Sequence, residues 1–327
     1  MPGLGGVAGP AAAGWATVGA YGEPATLRQD VPVTAQPGIF ALGTAEHLYL
    51  DGELRAGAGV GAVAAALADV SEAMATTGGV NLVVGFRPEL WPGLAEDRPD
   101  DAVGFNTDVV GPGGYRMPAT QHDVWLWVAG ASRTAVFDAA IVVRTALAGH
   151  VDLVDEHDGW VYAQDRDLTG FVDGTENPAA SQAPAVVAPG GAGSVLLVQT
   201  WRHDIDALSR MSVREQELMM GRTKADSVEL DDDTMPASAH VARTTINDGS
   251  GAELHIFRRN TATGTPTEHG TQFVGFSADR ARLQLMLDRM AGAVDGIRDA
   301  LTAVATAVTG AYYYVPSLEE LAEQVPT

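Results

Sequence analysis

Apolar positions along this 327-residue chain follow two periods. Val60, Val63, Leu67, Val70 and Met74 are spaced by alternate steps of three and four, which puts them on one face of a helix. Val136, Ala140, Val143 and Leu147 repeat the pattern behind Ser132, whose hydroxyl suits an N-cap. Around these helices the pattern shortens to strands. Residues 38–50 alternate, and 81–86 and 123–128 are apolar runs. Residues 151–156 and 160–164 are predicted as two short strands on either side of a His157-Asp158-Gly159 turn. The order is strand, helix, strand, strand, helix, strand, with one further short strand.

The second half repeats the theme. A strand over 194–202 leads to Ser212-Val213-Arg214-Glu215, a capping box in which Ser and Glu satisfy each other's backbone donors. Residues 240–247 and 254–259 are predicted as paired strands around Asp248-Gly249-Ser250-Gly251. A strand over 271–276 precedes a helix with Leu283, Met286, Leu287 and Met290 on one face. A last long helix is predicted over 295–309, stopping at Gly310, with a short acidic helix beyond Pro316. The pattern predicts an α+β fold of two halves, 37–177 and 194–327. Each is an antiparallel sheet with helices on one side, and the halves pack together through the Pro/Ala/Gly-rich connection 178–193. Residues 1–36 are Gly/Ala/Pro-rich without a period and are expected to form a flexible arm.

Composition narrows the function. Twenty Lys+Arg against 42 Asp+Glu give a formal charge of −22, which opposes binding to nucleic acid or anionic membranes. No apolar run approaches the ~20 residues that span a bilayer. The chain has no cysteine, so thiolate metal sites, disulfides and cysteine nucleophiles are excluded. Any metal is held by nitrogen, oxygen or a prosthetic group. The start of the chain lacks a basic stretch followed by an apolar core, so a cytoplasmic location is expected.

Two constellations could carry chemistry. In Gly170-Phe171-Val172-Asp173-Gly174-Thr175-Glu176-Asn177-Pro178, two glycines bracket an acid. The stretch reads either as an Asx-type turn with a solvated carboxylate, or as a loop whose glycines admit a flat ligand and aim Asp173 inward. The second is His240 with Arg258 and Asn260. A hairpin turning near Gly249-Ser250 would bring His240 and Arg258 to its open end. By themselves, a packed histidine and a solvated edge-strand arginine remain open readings.

In their order, however, these residues resemble the dye-decolorizing peroxidases. Gly170–Pro178 is similar to that family's Gly-x-x-Asp-Gly-Thr-Glu-Asn-Pro. Gly221-Arg222-Thr223-Lys224, Ala239-His240-Val241 and Arg258-Arg259-Asn260 follow in the family's sequence, and residues 302–310 with Val315-Pro316 resemble its last segment. The match runs over nearly the whole chain and is most similar to the B-type branch. The resemblance implies two ferredoxin-like halves of the dimeric α+β barrel type, and a haem b peroxidase. Such an enzyme reduces hydrogen peroxide through a high-valent iron-oxo intermediate and oxidises dyes, phenols or other one-electron donors. His240 would be the iron ligand and Asp299 the acceptor of its other ring N–H. Asp173, Arg258 and Asn260 would act on peroxide over the opposite haem face. Arg222 would meet a propionate, Gly174 and Phe273 would line the cofactor, and the partners are small molecules and further copies of the chain in a homo-oligomer. Trp160, Tyr162, Trp201, Tyr312, Tyr313 and Tyr314 are candidates for electron transfer from the surface.

Two departures stand out against the family pattern. Thr261-Ala262-Thr263-Gly264 replaces a Met-Pro-aromatic-Gly run, implying a looser loop and a more open or more polar distal approach. Gln272 stands where an aromatic is expected. No Gly-rich encapsulin-loading tail is seen, so no cargo role is expected. The alternative function is a haem-handling protein, for storage, transfer or iron release, with little peroxidase activity. A cofactor-free interaction protein is a third reading.

The acidic balance makes a testable statement about donors. Anionic dyes should turn over faster below about pH 5, where carboxylates begin to protonate, and the repulsion above it should weaken with added salt. Steady-state rates with an anionic dye that are flat in both pH and ionic strength would contradict this.

Overall fold

Strands from both halves of the chain join one ladder. The structure is a computed structural model that describes residues 34–76, 79–191 and 193–325. Among these residues the strands are β1 (Glu46–Leu54), β2 (Asn81–Phe86), β3 (Val109–Val110), β4 (Arg116–Met117), β5 (Val124–Gly130), β6 (Val151–Trp160), β7 (Ser194–His203), β8 (Phe257–Arg258), β9 (Thr261–Gly264), β10 (His269–Ser277), β11 (Ala305–Ala307) and β12 (Ala311–Val315). The helices are α1 (Val60–Thr76), α2 (Leu94–Asp97), α3 (Arg133–Leu147), α4 (Ala183–Val187), α5 (Ile205–Arg210), α6 (Val213–Met220), α7 (His240–Thr244), α8 (Arg280–Ala291) and α9 (Leu318–Glu323).

The large sheet runs β11-β7-β12-β2-β5-β1-β6-β9-β10-β8, and β10 also pairs with β7. That last pairing closes the sheet into a barrel of antiparallel strands. The halves meet at two short seams, Tyr314 opposite Phe86 between β12 and β2, and Gly159 and Trp160 opposite Thr263 and Ala262 between β6 and β9. Alternation then sorts the side chains. Leu50, Leu126 and Val128 face outward under Val63 and Leu67 of α1 and Val136, Val143 and Leu147 of α3. Leu283, Met286 and Leu287 of α8 cover Val195, Leu197 and Tyr312. The interior is filled by Tyr49, Trp125, Trp127, Phe276 and Tyr313. Neighbouring rings stack there, with Tyr49 to Trp125 centroids 6.0 Å apart and Trp125 to Tyr313 centroids 6.2 Å apart, a geometry that adds about 0.5–1.5 kcal/mol per pair beyond burial.

The local predictions hold where packing agrees with propensity. Ser132 caps α3 by accepting from Ala135 N–H, and the Ser212–Glu215 capping box opens α6. Elsewhere tertiary pairing overrides them. Residues 151–160 are one strand without the predicted turn, because β1 pairs along its whole length. Gly159 is there for close approach, since a Cβ would lie 2.3 Å from Thr261 Oγ1 and 2.8 Å from the Tyr49 ring. The helix predicted over 295–309 is instead a short 3-10 turn, Ala300–Ala303, followed by β11, which pairs with the end of β7. Residues 240–244 are helical, not a strand, and of 254–259 only Phe257–Arg258 is one. Thr261–Gly264 is not a loosened loop: it is β9, held between β6 and β10, with its first three residues buried.

Of the predicted arm, residues 1–33 lie outside the described residues. Gln36, at its end, is buried in the fold, giving its amide to the Val84 and Pro316 carbonyls and accepting from Val84 N–H. Among the described residues no helix is long and apolar enough to cross a membrane.

One buried polar group reports on this core. His47 Nδ1 accepts the Trp127 indole N–H at 2.9 Å, so its Nε2 carries the proton and donates to the Thr44 carbonyl at 3.2 Å. A second proton would face an N–H donor in a buried site, and burial lowers the His47 pKa to about 4. An unfolded histidine titrates near 6.5. The stabilisation is therefore complete above pH ~6.5 and is lost as pH falls towards 4, roughly 3 kcal/mol in all. Urea midpoints of the wild type should fall across this window relative to a His47→Gln variant, and parallel pH profiles would refute the assignment.

Candidate functional site

The outer faces of β7 and β10 form the floor of a cleft roofed by α7, α8 and the loop over 170–178. It encloses about 1360 Å³ counted out to its solvent mouth. Its walls are largely apolar, with Phe171, Ile246, Leu254, Phe273, Met286 and Met290 among them. His240, Asp173, Arg258, Asn260, Gly174, Arg222 and Phe273 all line this one cleft. The hairpin geometry expected from sequence is not what joins them: His240 sits at the start of α7, and Arg258 lies on β8 beside Gly275 of β10.

His240 follows the cap residue Ala239, and its Nδ1 donates to Asp299 Oδ2 at 2.7 Å. Asp299 itself is 1% exposed. Its other oxygen caps the 3-10 turn by accepting from Leu301 N–H at 2.9 Å, and Ala300 N–H donates to the Ser238 carbonyl at 2.7 Å. The two segments that carry the pair are thus stitched together on both sides of it. With Nδ1–H committed, Nε2 is the ring's bare lone pair.

Asp173 is held by two donors, Gly174 N–H to Oδ1 at 2.6 Å and Asn260 Nδ2 to Oδ2 at 2.8 Å. Gly174 has φ of +74°, which allows the chain to curl its own N–H back onto the carboxylate. Val274 N–H donates to Asn260 Oδ1, which fixes the amide with its NH₂ end towards Asp173. Arg258 is placed through its backbone: its N–H donates to Asn177 Oδ1 and its carbonyl accepts from Asn177 Nδ2, both at 2.9 Å. Its guanidinium makes no hydrogen bond or ion pair among the described residues, to Asp173 or otherwise. A second opening, about 960 Å³ to its mouth, meets the cleft at Asp173, Asn260 and Arg258 and carries Asp165, Asp167 and Tyr162.

Arg222 lines the cleft with its guanidinium already engaged. It is buried and bound to Glu176, to Glu229 at 2.9 Å and to the Ser227 carbonyl at 2.9 Å. A further anion there would meet two carboxylates already in place. Gln272 does not reach the cleft at all: it points into the barrel, accepting from Thr200 and bonded to His157. Of the six aromatic candidates, Trp201, Tyr312, Tyr313 and Tyr314 are buried, Trp160 is half-buried, and Tyr162 alone is exposed.

Sequence reasoning missed three residues of the site. Asn177 ties the loop to β8. Gln199 Nε2 and His203 Nδ1 line the cleft from β7 without a hydrogen-bond partner, although Gln199 is only 1% exposed. The strand alternation of β7, which puts 199, 201 and 203 on one face, was the available signal.

Residues 164–320 match the family model described as Dyp-type peroxidase, C-terminal. The chain is similar to a dye-decolorizing peroxidase of Mycolicibacterium paratuberculosis (strain ATCC BAA-968 / K-10), 36% identical over 282 residues that cover 79% of each protein. Among solved structures it resembles a variant of DypB from Rhodococcus jostii RHA1 in complex with heme, with a TM-score of 0.75 and 33% identity over 85% of this chain and 94% of that one. It also resembles the encapsulated DyP-type peroxidase from Mycobacterium smegmatis, with a TM-score of 0.79 and 29% identity over 90% of this chain and 99% of that one.

The Asn177 bonds give a test of how the site is assembled. Asn177→Ala removes both while leaving a buried backbone donor and acceptor, which should cost about 1–3 kcal/mol. Chemical denaturation should show that loss, and an unchanged midpoint would mean that the loop is held by other contacts.

Proposed function

The chain belongs to the dye-decolorizing peroxidase family and is a haem peroxidase, and we propose that His240 would hold its iron while Asp173, Arg258 and Asn260, in the same cleft, would act on peroxide. The observation that carries this reading is the His240–Asp299 bond, which leaves a bare ring nitrogen on a side chain lining a large apolar cleft.

The cleft fits haem by its chemistry. Apolar walls suit the porphyrin faces, and Gln199 Nε2, buried without a hydrogen-bond partner among the described residues, is a polar atom of the kind that finds one when a polar-edged ligand is bound. When bound, haem supplies the redox chemistry between hydrogen peroxide and one-electron donors. Asp299 keeps the His240 ring oriented and raises its basicity as a ligand. Both Asp173 oxygens accept one hydrogen bond and each keeps a second lone pair, so this carboxylate can take the proton of one peroxide oxygen and return it to the other. The Arg258 guanidinium has no hydrogen-bond or ion-pair partner among the described residues, and it would stabilise negative charge on the leaving oxygen. Asn260 fixes where Asp173 points. We assign Arg222 to anchoring Glu176 of the loop instead of binding a propionate.

The finer fold reading rests on strand order. With the short strands β3, β4, β8 and β11 set aside, β2-β5-β1-β6 and β9-β10-β7-β12 both run second, third, first, fourth within their halves, which supports two ferredoxin-like halves. A homo-oligomer is supported by Phe137, Ile141 and Val142, apolar residues exposed on α3.

Stopped-flow mixing of the ferric enzyme with one equivalent of peroxide should shift the Soret band within milliseconds to seconds. Asp173→Ala and Arg258→Leu should each slow that step by about 10²-fold or more. His240→Ala should lose haem on gel filtration. Wild-type rates in both distal variants, or full haem retention without His240, would overturn the assignment.

A further inference from the structure

We propose that Asp51, Asp155 and His157 form a second metal site, separate from the haem cleft, that takes one divalent ion of the Mn²⁺ or Zn²⁺ type at the mouth of the barrel. One carboxylate oxygen from each aspartate and one ring nitrogen of His157 lie within 4.8 Å of one another. Ligand atoms about 2.1 Å from a common ion are about 3–4.2 Å apart, so these three close onto an ion by small side-chain rotations.

The ladder itself brings the ligands together. Asp51 and Asp155 are direct partners across β1 and β6, and His157 follows on the same face opposite Tyr49. The register slips between Asp51 and Gly52, where Gly52 pairs with Leu153 and Val154 is the extra residue. This β-bulge turns Val154 out to solvent and keeps Asp155 facing Asp51. Like charges directly opposite in a ladder are destabilising. Here neither carboxylate forms an ion pair with Lys or Arg among the described residues. Asp51 Oδ1 accepts from Tyr313 at 2.8 Å, and among the described residues no hydrogen bond reaches its second oxygen although the residue is buried.

The histidine is set up as a ligand. Its Nε2 bonds Gln272 Oε1 at 2.8 Å, and Gln272 is itself held by Thr200 Oγ1 at 2.7 Å. That bond assigns the proton to Nε2 and leaves the Nδ1 lone pair 3.8 Å from Asp155 Oδ2. Two acceptors therefore face each other with no donor between them. A partner on the far ring nitrogen is the usual second support of a metal-bound histidine. The donor set is one imidazole and two carboxylates. It suits Mn²⁺ or Zn²⁺ over Ca²⁺, which takes six to eight oxygens. Asp155 is largely exposed and provides the entry path.

The test uses the haem-loaded enzyme at pH 7.5, titrated with Mn²⁺ while the six-line EPR signal of the free ion is followed. Wild type should bind one more equivalent than Asp155→Ala or His157→Gln, or bind that equivalent at least tenfold more tightly, with an unchanged Soret band in all three. Zn²⁺ should displace it. Asp155 is at the surface, so its variant keeps the test sound even if Asp51→Asn fails to fold. Equal Mn²⁺ uptake by wild type and both variants would overturn the site, and would mean that a proton on His157 balances the aspartates instead.

Discussion

Pairing between β7 and β10 closes the sheet, and closure makes the same two strands serve two environments. Side chains at 196, 198, 274 and 276 enter the barrel, where aromatic rings fill the space. Those at 199, 201, 271 and 273 leave on the other face and form the floor of the cleft. A strand alternates strictly, so neither surface can be altered by a register slip without exchanging the two. The cleft is rigid at its floor because the barrel behind it is full.

The cleft's polar groups are placed by segments that would not hold their shape alone. Asp173 lies on a loop without regular structure, and three tethers fix it: the Gly174 turn, the Asn260 amide and the Asn177 bonds to β8. His240 starts a helix of five residues, too short to be stable by itself, and Asp299 holds it from a second short segment. Each tether is a partly buried hydrogen bond whose loss leaves a polar partner unpaired, which makes the arrangement specific.

Arg258 and Arg259 show how one step of alternation separates function from structure. Arg259 points inward over the Trp127 ring, 4.9 Å from its centroid, and donates to the Ile39 and Ala41 carbonyls and to Thr44. Burial lowers its pKa to about 10, still well above neutrality, so the charge is retained and shared among carbonyls. Arg258 keeps its guanidinium unpaired in the cleft.

The helices α1, α3 and α8, the Ser132 cap of α3, the capping box of α6 and the main strands were legible in the sequence because their periodicity and their packing agree. The motif residues were legible as chemistry, since carboxylate, guanidinium, amide and imidazole each carry a distinct capacity wherever they are placed. What sequence could not supply was partnership between distant segments. An alanine- and threonine-rich stretch at 300–309 reads as helix, yet the open edge of β7 takes it as a strand. Gly159 reads as a turn, yet it is the flat spot on which Tyr49 and Thr261 rest. Arg222 is in sequence one more cation without a visible partner, yet Glu176 and Glu229 hold it. The sequence by itself determined which groups are available and which local elements can form. Only the tertiary structure decided which groups meet, because hydrogen bonds and burial act between residues that chain order leaves tens to hundreds of positions apart.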